Sequence, residues 1–404
     1  MKPFGSWLGG YVYVADTLFL CAAGAWLLAL MRRRASFRRS WWYLPLALYF
    51  TVMLASALGS EDRGRSLAKL AIEAYVLALA VLSFNQSRSL PDLRRISRAW
   101  MIAAALTSAA ALLGVALFYA GVRDPAVNIA LGGYGSLPAG NYPRVTGLFL
   151  NFNMACNYLS VSLLLALAMR RLGWLGATAF RVLALLTGLA AAFTISPGLG
   201  GLLLAAGIWL FLRWRETRRA LARSALALAS AAAIAFLLAA SVSPVSGGQG
   251  QTLLTVADRR IAPSSRLLCW TAAIAVVRDY PLLGQGVGTD VPCPPYLDAQ
   301  GREQHLLDAH QTFLNVAAQK GFTGLAALAA IIVYLVVRMR PLRIIGSASD
   351  LLRTALGISF LQAFLYQGLT GSLEHTRHLW VLMGLLAGVS EVSPQTSIGR
   401  DAQA

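Results

Sequence analysis

The stretch AWMIAAALTSAAALLGVALFYAGV, residues 99–122, carries no charged side chain. The hydrocarbon core of a bilayer is about 30 Å thick, and about 20 mostly apolar residues in a helix cross it. A helix also satisfies its own backbone hydrogen bonds, which lipid cannot do. The stretch therefore predicts a transmembrane helix.

The same pattern recurs along the chain and predicts an all-α fold, a polytopic integral membrane helix bundle of about eleven or twelve spans. The 404 residues are 57% hydrophobic and only 13% charged, which is too apolar for a water-soluble protein of this length. The first span has no small-residue cleavage site after a short apolar core, so we expect it to be retained. The expected spans are 11–31, 41–59, 66–84, 99–122, 146–169, 180–195, 199–213, 224–243, 322–337, 354–371 and 378–391.

The arginines predict the orientation of the bundle. Net charge is +18, and arginine-rich loops follow spans one, three, five, seven and nine. Because Lys and Arg in short loops stay on the cytoplasmic side, we expect an outer N-terminus and an inner C-terminus. No basic stripe alternates with aromatic residues in a polar segment, so no nucleic-acid partner is expected. The clusters are Arg32, Arg33, Arg34, Arg38 and Arg39; Arg88, Arg94, Arg95 and Arg98; Arg170 and Arg171; Arg213, Arg215, Arg218, Arg219 and Arg223; and Arg338, Arg340 and Arg343.

Two long segments, 123–145 and 244–321, fall on the outer side in this topology. The second is too long to be a simple connector, so function is expected there. Pro263 to Ser265 predict a helix start, and the run Arg266 to Tyr280 has helical spacing until Pro281. A second helix is expected to open near Asp308. The chain thus divides into spans one to eight (1–243), a large outer loop with short helices (244–321), and spans nine to eleven with a cytoplasmic tail (322–404).

Three side chains in these outer segments are candidates for chemistry. His310 heads HQTFLNVAAQKGFTGL, and a neutral imidazole there can act as a general base or simply lie at the interface. Arg266 precedes Trp270 by one helical turn. Arg266 and Arg144 can bind phosphate oxygens through two parallel hydrogen bonds, or anchor the chain in the headgroup region.

Other patterns are weaker. The glycines of PLLGQGVGTD follow no strand, so turn formation is favoured over a nucleotide loop. His305, Asp308 and His310 lack a further strong ligand at compatible spacing, so no metal site is expected. Lys69 and Glu73 are four residues apart on one span and predict a local ion pair. Cys269 and Cys293 share the large loop, where a disulfide is possible from spacing alone.

Taken together, Arg266 with Trp270, then DYPLLGQGVG, then His310 heading HQTFLNVAAQKGFTGL resemble the O-antigen ligase and polymerase superfamily of bacterial envelope glycan enzymes. The resemblance is clearest from about Ser265 to Leu325. RVTGLFLNFNMACNYL is similar to an earlier family segment, and SLEHTRHLW to a late one. In three places the sequence departs from the family pattern: Gln311 stands where asparagine is common, Phe152 replaces a proline, and Gln319 with Lys320 replaces an acidic position.

The resemblance implies glycan transfer from an undecaprenyl-diphosphate carrier at the periplasmic face of the bacterial inner membrane. It implies no cofactor and no metal. The partners it implies are the lipid-linked glycan donor, a lipid A-core acceptor and membrane lipids. The implied catalytic residues are His310 and Arg266, and the implied substrate-binding residues are Arg144, Asn153, Gln311, Trp270 and Arg377.

Several functions share this pattern. An O-antigen ligase is the leading hypothesis, and an O-antigen polymerase or a protein O-oligosaccharyltransferase would differ only in acceptor. The chain ends soon after the last span, which favours the first two. A membrane transporter or lipid flippase would also explain many spans and the ionisable residues inside one of them.

Overall fold

The computed structural model describes residues 5–7, 10–12, 14–134, 142–215, 217–244, 254–256, 259–297, 303–304, 306–374 and 376–392. The described residues form an all-α helical membrane protein with short strands between the helices. Its helices are α1 (Val14–Met31), α2 (Tyr43–Gly59), α3 (Arg63–Gln86), α4 (Leu90–Tyr119), α5 (Phe152–Arg171), α6 (Ala177–Phe193), α7 (Gly198–Trp214), α8 (Arg219–Ser241), α9 (Ser265–Asp279), α10 (Thr312–Arg338), α11 (Ala348–Phe360), which continues as a π-helix over Leu361–Tyr366, and α12 (Arg377–Ser390).

The predicted helical membrane fold is confirmed. Five of the described helices, α3, α4, α5, α8 and α10, are long and apolar enough to cross a membrane, and five shorter helices are also apolar. Two long helices begin earlier than their apolar stretches. The hydroxyl of Ser89 caps α4, so its first turns carry the arginines of a basic loop. Gln311 caps α10, which begins at Thr312, ten residues before the predicted span and four after Asp308.

Two of the arginine-rich loops meet at one end of the bundle. Arg88 donates to the hydroxyl of Ser36 at 2.9 Å. Arg38 lies 3.2 Å from a carboxylate oxygen of Glu391 and donates to the carbonyls of Ser87 and Gly388, at the ends of α3 and α12. In an alternating chain the two long segments lie at the opposite end, and the orientation of the bundle stays a prediction.

At that opposite end the long segments contain strands that the sequence did not predict. A first hairpin, of β1 (Gly5–Trp7) with β2 (Gly10–Val12), precedes α1. β3 (Leu131–Tyr134) and β4 (Pro143–Val145) form an antiparallel hairpin in the first long segment. In the second, β7 (Arg259–Pro263) lies between β5 (Val242–Pro244) and β6 (Leu254–Val256). The predicted helix of this segment is confirmed as α9, which starts after Ser264 and ends before Tyr280.

The core is packed most tightly where α12 crosses α3. Trp42, Tyr49 and Trp380 are fully buried there or close by, and Tyr49 stacks on Trp380 with ring centroids 6.1 Å apart. A Cβ on Gly384 would collide with the carbonyl of Ala80 on α3. Small residues permit such close helix contact in membranes. This contact fixes α12, whose first residues lie beside the candidate site.

Candidate functional site

Arg144 lies on β4 and points its guanidinium at the start of α7. Nε donates to the carbonyl of Thr194 at 3.0 Å, and one terminal nitrogen donates to the carbonyl of Ile195 at 2.9 Å. The guanidinium also lies 3.2 Å above the ring of Phe152. These contacts orient the side chain and leave its other terminal nitrogen, Nη1, without a hydrogen bond among the described residues.

Arg266, in the first turn of α9, acts electrostatically on Arg144. Burial and then the charge of Arg266 lower the pKa of Arg144 to about 10, and no carboxylate acts on Arg144 in the described structure. The charges of the two guanidinium groups act unfavourably on each other, so an anion bound between them would be stabilised by both. Arg266 and Arg144, which are far apart in sequence, therefore form one cationic site.

Backbone strain accompanies this arrangement. Ile195 has φ of 46°, a left-handed conformation that is a genuine outlier for a β-branched residue. The carbonyl of this residue is one of the two that hold Arg144. Strained residues cluster at functional sites because the surrounding structure enforces them. His310, with φ of 47°, is a second such residue.

His310 stands just before α10 and is held by Asp308. Its Nδ1 hydrogen-bonds to Oδ1 of Asp308, and its backbone N–H donates to the same oxygen at 2.6 Å. Ser372 also donates to this oxygen, at 2.8 Å. With Nδ1 engaged as the donor, Nε2 is left as the proton acceptor, as in an Asp-His dyad.

Asp308 stays ionised at the pH values at which enzymes work. Burial raises its pKa, but the hydrogen bonds and charge of His310 outweigh this effect and lower the pKa to about 2. Both side chains remain about a third exposed, so the dyad is accessible to a ligand.

Helix α9 packs against the start of α10 and brings the arginine and histidine regions together. Trp270, one turn after Arg266, packs into a cluster that contains Ala309 and Leu314, on either side of His310. The indole N–H of Trp270 and the hydroxyl of Tyr142 are buried with no hydrogen-bond partner among the described residues. Both groups can therefore donate a hydrogen bond to a ligand.

The loop before α12 is fastened to the first turns of α10. Thr312 donates to the carbonyl of Gly371 at 2.7 Å, and the N–H of Leu373 donates back to Thr312 at 2.9 Å. The amide of Asn315 donates to the carboxylate of Glu374. The position of Ser372, and through it that of Asp308, is set by these contacts.

Helix α10 is broken at Gly321, where φ is 66° and ψ is −171°. The glycine-rich loop after α9 fills the break. The N–H groups of Gln285 and Gly286 donate to the carbonyls of Ala318 and Gln319, at 2.9 and 3.1 Å. In return, the carbonyls of Pro281 and Leu282 accept from the first residues after the break. The loop thus satisfies backbone groups that lipid could not satisfy, which gives the glycines a structural role.

The predicted pair of Lys69 with Glu73 is wrong. Glu73 pairs with Lys320, whose ammonium lies 2.9 Å from the carboxylate and 3.1 Å from the hydroxyl of Tyr49. Lys320 and Glu73 are fully buried. Lys69 instead lies against Gly288 of the glycine-rich loop. Sequence spacing favoured the local pair because it could not foresee that the fold brings the side chain of Lys320 on α10 to Glu73 on α3.

Three predicted substrate-binding residues are engaged by the protein itself. The side chain of Gln311 caps α10 by accepting from the N–H of Leu314. Asn153 accepts from Ser196 at 2.7 Å. Arg377 makes two hydrogen bonds to Asp16, at 2.7 and 3.1 Å. Their assignment to substrate stays a prediction, and the structure gives each of them a structural partner.

The described residues contain no metal-binding site. Asp308 and His310 face each other, and no group of three His, Cys, Asp or Glu side chains that could hold a metal ion is found among the residues that the structure describes. His305 and His375 lie outside those residues. The expectation of a metal-independent site therefore stays a prediction.

Sequence reasoning missed the partners of the candidate residues. The sequence marks Asp308 as a helix start and a weak metal-ligand candidate, although its spacing of two from His310 is also compatible with an Asp-His contact across a tight turn. Ser372 and Tyr142 carry no sequence signal. Phe152, a departure from the family pattern, supplies the ring beneath Arg144.

Part of the chain is similar to a known protein family. Residues 181–329 match the family model described as O-antigen ligase. The matched region includes Arg266, Trp270, His310 and Gln311, and it excludes Arg144, Asn153 and Arg377. No curated protein matches the chain significantly. The resemblance predicted from the sequence motifs is confirmed by this match.

Proposed function

We propose that this multi-pass membrane protein is an O-antigen ligase of the bacterial inner membrane. It transfers an O-antigen glycan from undecaprenyl diphosphate to the lipid A-core of lipopolysaccharide, at the periplasmic face. The observation that carries the proposal is the cationic site of Arg144 and Arg266, packed through α9 beside the Asp308–His310 dyad. The family match supports the broader class, enzymes of the O-antigen ligase and polymerase superfamily acting on lipid-linked glycans.

The chemistry is one displacement with inversion. Nε2 of His310 takes the proton from an acceptor hydroxyl of the lipid A-core, and the resulting oxygen attacks the anomeric carbon of the donor sugar. The bond between that carbon and the diphosphate oxygen breaks, and undecaprenyl diphosphate leaves with the electron pair. Arg144 and Arg266 stabilise the charge on this leaving group, which in many other transferases is the role of a divalent metal.

The acceptor separates this function from its close relatives. Purified protein should be given lipid-linked glycan together with either lipid A-core or more lipid-linked glycan. An O-antigen ligase glycosylates the lipid A-core and leaves the glycan length unchanged. Lengthening of the lipid-linked glycan would make the protein a polymerase, and coupled substrate uptake without any transfer would make it a transporter.

A further inference from the structure

Two cysteines from separate parts of the large loop lie side by side. Cys269 is in the second turn of α9, and Cys293 follows the glycine-rich loop. Both are buried in the same apolar cluster, with Ala273 and Val276 of α9, and their thiols are close enough to interact directly. Their shared place in the large loop made a disulfide possible but did not predict this contact.

This contact lies next to the candidate site. Cys269 is three residues after Arg266, and the thiol of Cys293 donates to the carbonyl of Asp308 at 3.5 Å. The N–H of Val291 also donates to the carbonyl of Leu307 at 3.1 Å. A covalent bond between the thiols would join the helix that carries Arg266 to the segment that precedes His310.

We propose that Cys269 and Cys293 are joined by a disulfide in the protein as it exists in the membrane. The oxidant is a protein disulfide on the outer face. One cysteine, as its thiolate, attacks that disulfide and forms a mixed disulfide, and the second cysteine then displaces the oxidant. The two cysteines lose two protons and two electrons, and the oxidant's disulfide is reduced to two thiols. The inference rests on the outer-face placement of the loop in the proposed function.

Burial explains when the bond forms. Burial is the first cause that raises the pKa of both thiols, and a protonated thiol is a poor nucleophile. Exchange therefore takes place before α9 packs onto α10. Afterwards the same packing shields the bond from external thiols, so it persists once formed.

The alternative is a pair of reduced thiols that act as small apolar side chains. In the structure all four thiols are free, and Cys21 on α1 is exposed whereas Cys156 on α5 is buried. These two cysteines serve as internal references for the pair. Cys156 is a matched control for burial. The 404 residues contain four cysteines in all, so counting thiols gives an unambiguous answer.

The experiment traps thiols with an alkylating reagent at the moment of cell lysis and counts them in the denatured full-length protein. We expect two labelled cysteines, Cys21 and Cys156, before reduction and four after it. The Cys269→Ser variant should show three before reduction, because Cys293 loses its partner, whereas Cys156→Ser should show one. Four labelled cysteines in the unreduced wild-type protein would overturn the inference, as would a bond that involves Cys21 or Cys156.

The count is independent of glycan transfer. A protein with the disulfide and no transfer activity would contradict the proposed function alone. A protein that transfers glycan and has four free thiols would contradict the disulfide alone.

Discussion

At the scale of single residues, Asp308 and His310 act together in the proposed transfer. Asp308 engages Nδ1 of His310 and also accepts from its backbone. This contact fixes which ring nitrogen carries the proton and which can accept one. The carboxylate also stabilises the protonated imidazole that forms during the reaction.

The Asp308→Asn variant tests this pairing. An amide can present its N–H to Nδ1 and so favour the wrong tautomer, and we expect transfer to fall by about 10²-fold. Asp308 itself loses its charge only between about pH 4, its ordinary pKa, and about 2, so the wild-type carboxylate is charged over the whole range of the measurement. The measurement is the initial transfer rate from pH 5 to 9. An unchanged rate across this range would contradict the pairing.

Substitution of Arg144 or Arg266 tests whether the cationic site binds the diphosphate of the donor. Arg144→Ala and Arg266→Ala should each weaken binding of the lipid-linked donor and slow transfer by at least about 10-fold, because each loses a charge-assisted hydrogen bond to the diphosphate. Substitution of either arginine by lysine should restore donor binding and transfer only in part, since an ammonium cannot present two parallel donors. Arg278, exposed on the same helix as Arg266, is the matched control. Equal activity in Arg266→Ala and Arg278→Ala would make Arg266 an interface anchor.

The sequence predicted some of these residues and not their partners. His310, Arg266 and Arg144 were found because motif order marks them. The sequence places a helix start near Asp308 but does not predict its contact with His310, and it gives no signal for Ser372 or Tyr142, because these contacts depend on how α9, α10 and the loop before α12 pack. The hydrogen bonds from Arg377 to Asp16 are likewise a tertiary contact that no spacing reveals. The hydrogen bond from Leu314 to Gln311 is instead a local helix cap.

At the scale of secondary structure, the break in α10 positions His310. The first half of the helix follows His310, and the second half continues through the membrane. The glycine-rich loop and the buried pair of Lys320 with Glu73 hold the two halves at their junction. The sequence predicted a helix opening near Asp308 and a span over 322–337, and α10 confirms both. The break between them was not predicted, because Gly321 reads as an ordinary helix residue without its partner loop.

Substitution of Gly284 in the glycine-rich loop tests the junction between the two halves of α10. Gly284 has φ of 70°, and an added Cβ would collide with the backbone of Gln319. We expect Gly284→Ala to lower the free energy of unfolding by about 2–4 kcal/mol and to reduce transfer. Gly188 of α6 has open space around its Cβ position, so Gly188→Ala is the control and should change stability by less than about 1 kcal/mol. Thermal unfolding in detergent compares the two. Equal midpoints would show that the break tolerates a side chain.

At the scale of the whole molecule, the arrangement places charge at one end and chemistry at the other. The arginine-rich loops that carry Arg38 and Arg88 lie together at one end, and the site lies where α9 and the β3–β4 hairpin meet the bundle. The predicted orientation puts the site outside. Both proposed substrates are lipid-anchored, so a site at the membrane surface allows them to meet without leaving the bilayer.

Thiol labelling in whole cells checks the orientation. In a background that lacks the four native cysteines, a membrane-impermeant reagent should label Arg278→Cys and should not label Arg94→Cys until the inner membrane is opened. The physical reason is the retention of arginine-rich loops on the cytoplasmic side. The opposite labelling pattern would invert the topology and move the proposed site to the cytoplasm.

The most direct measurement is glycan transfer by purified protein in excess chelator, with labelled lipid-linked donor and lipid A-core, comparing the wild type with His310→Ala. The wild type should form glycosylated lipid A-core and release an equal amount of undecaprenyl diphosphate. His310→Ala should still bind the donor and should transfer about 10²- to 10⁴-fold more slowly, the contribution of a positioned base. No transfer by the wild type until a divalent metal is added, or an equal rate in a well-folded His310→Ala protein, would contradict the account.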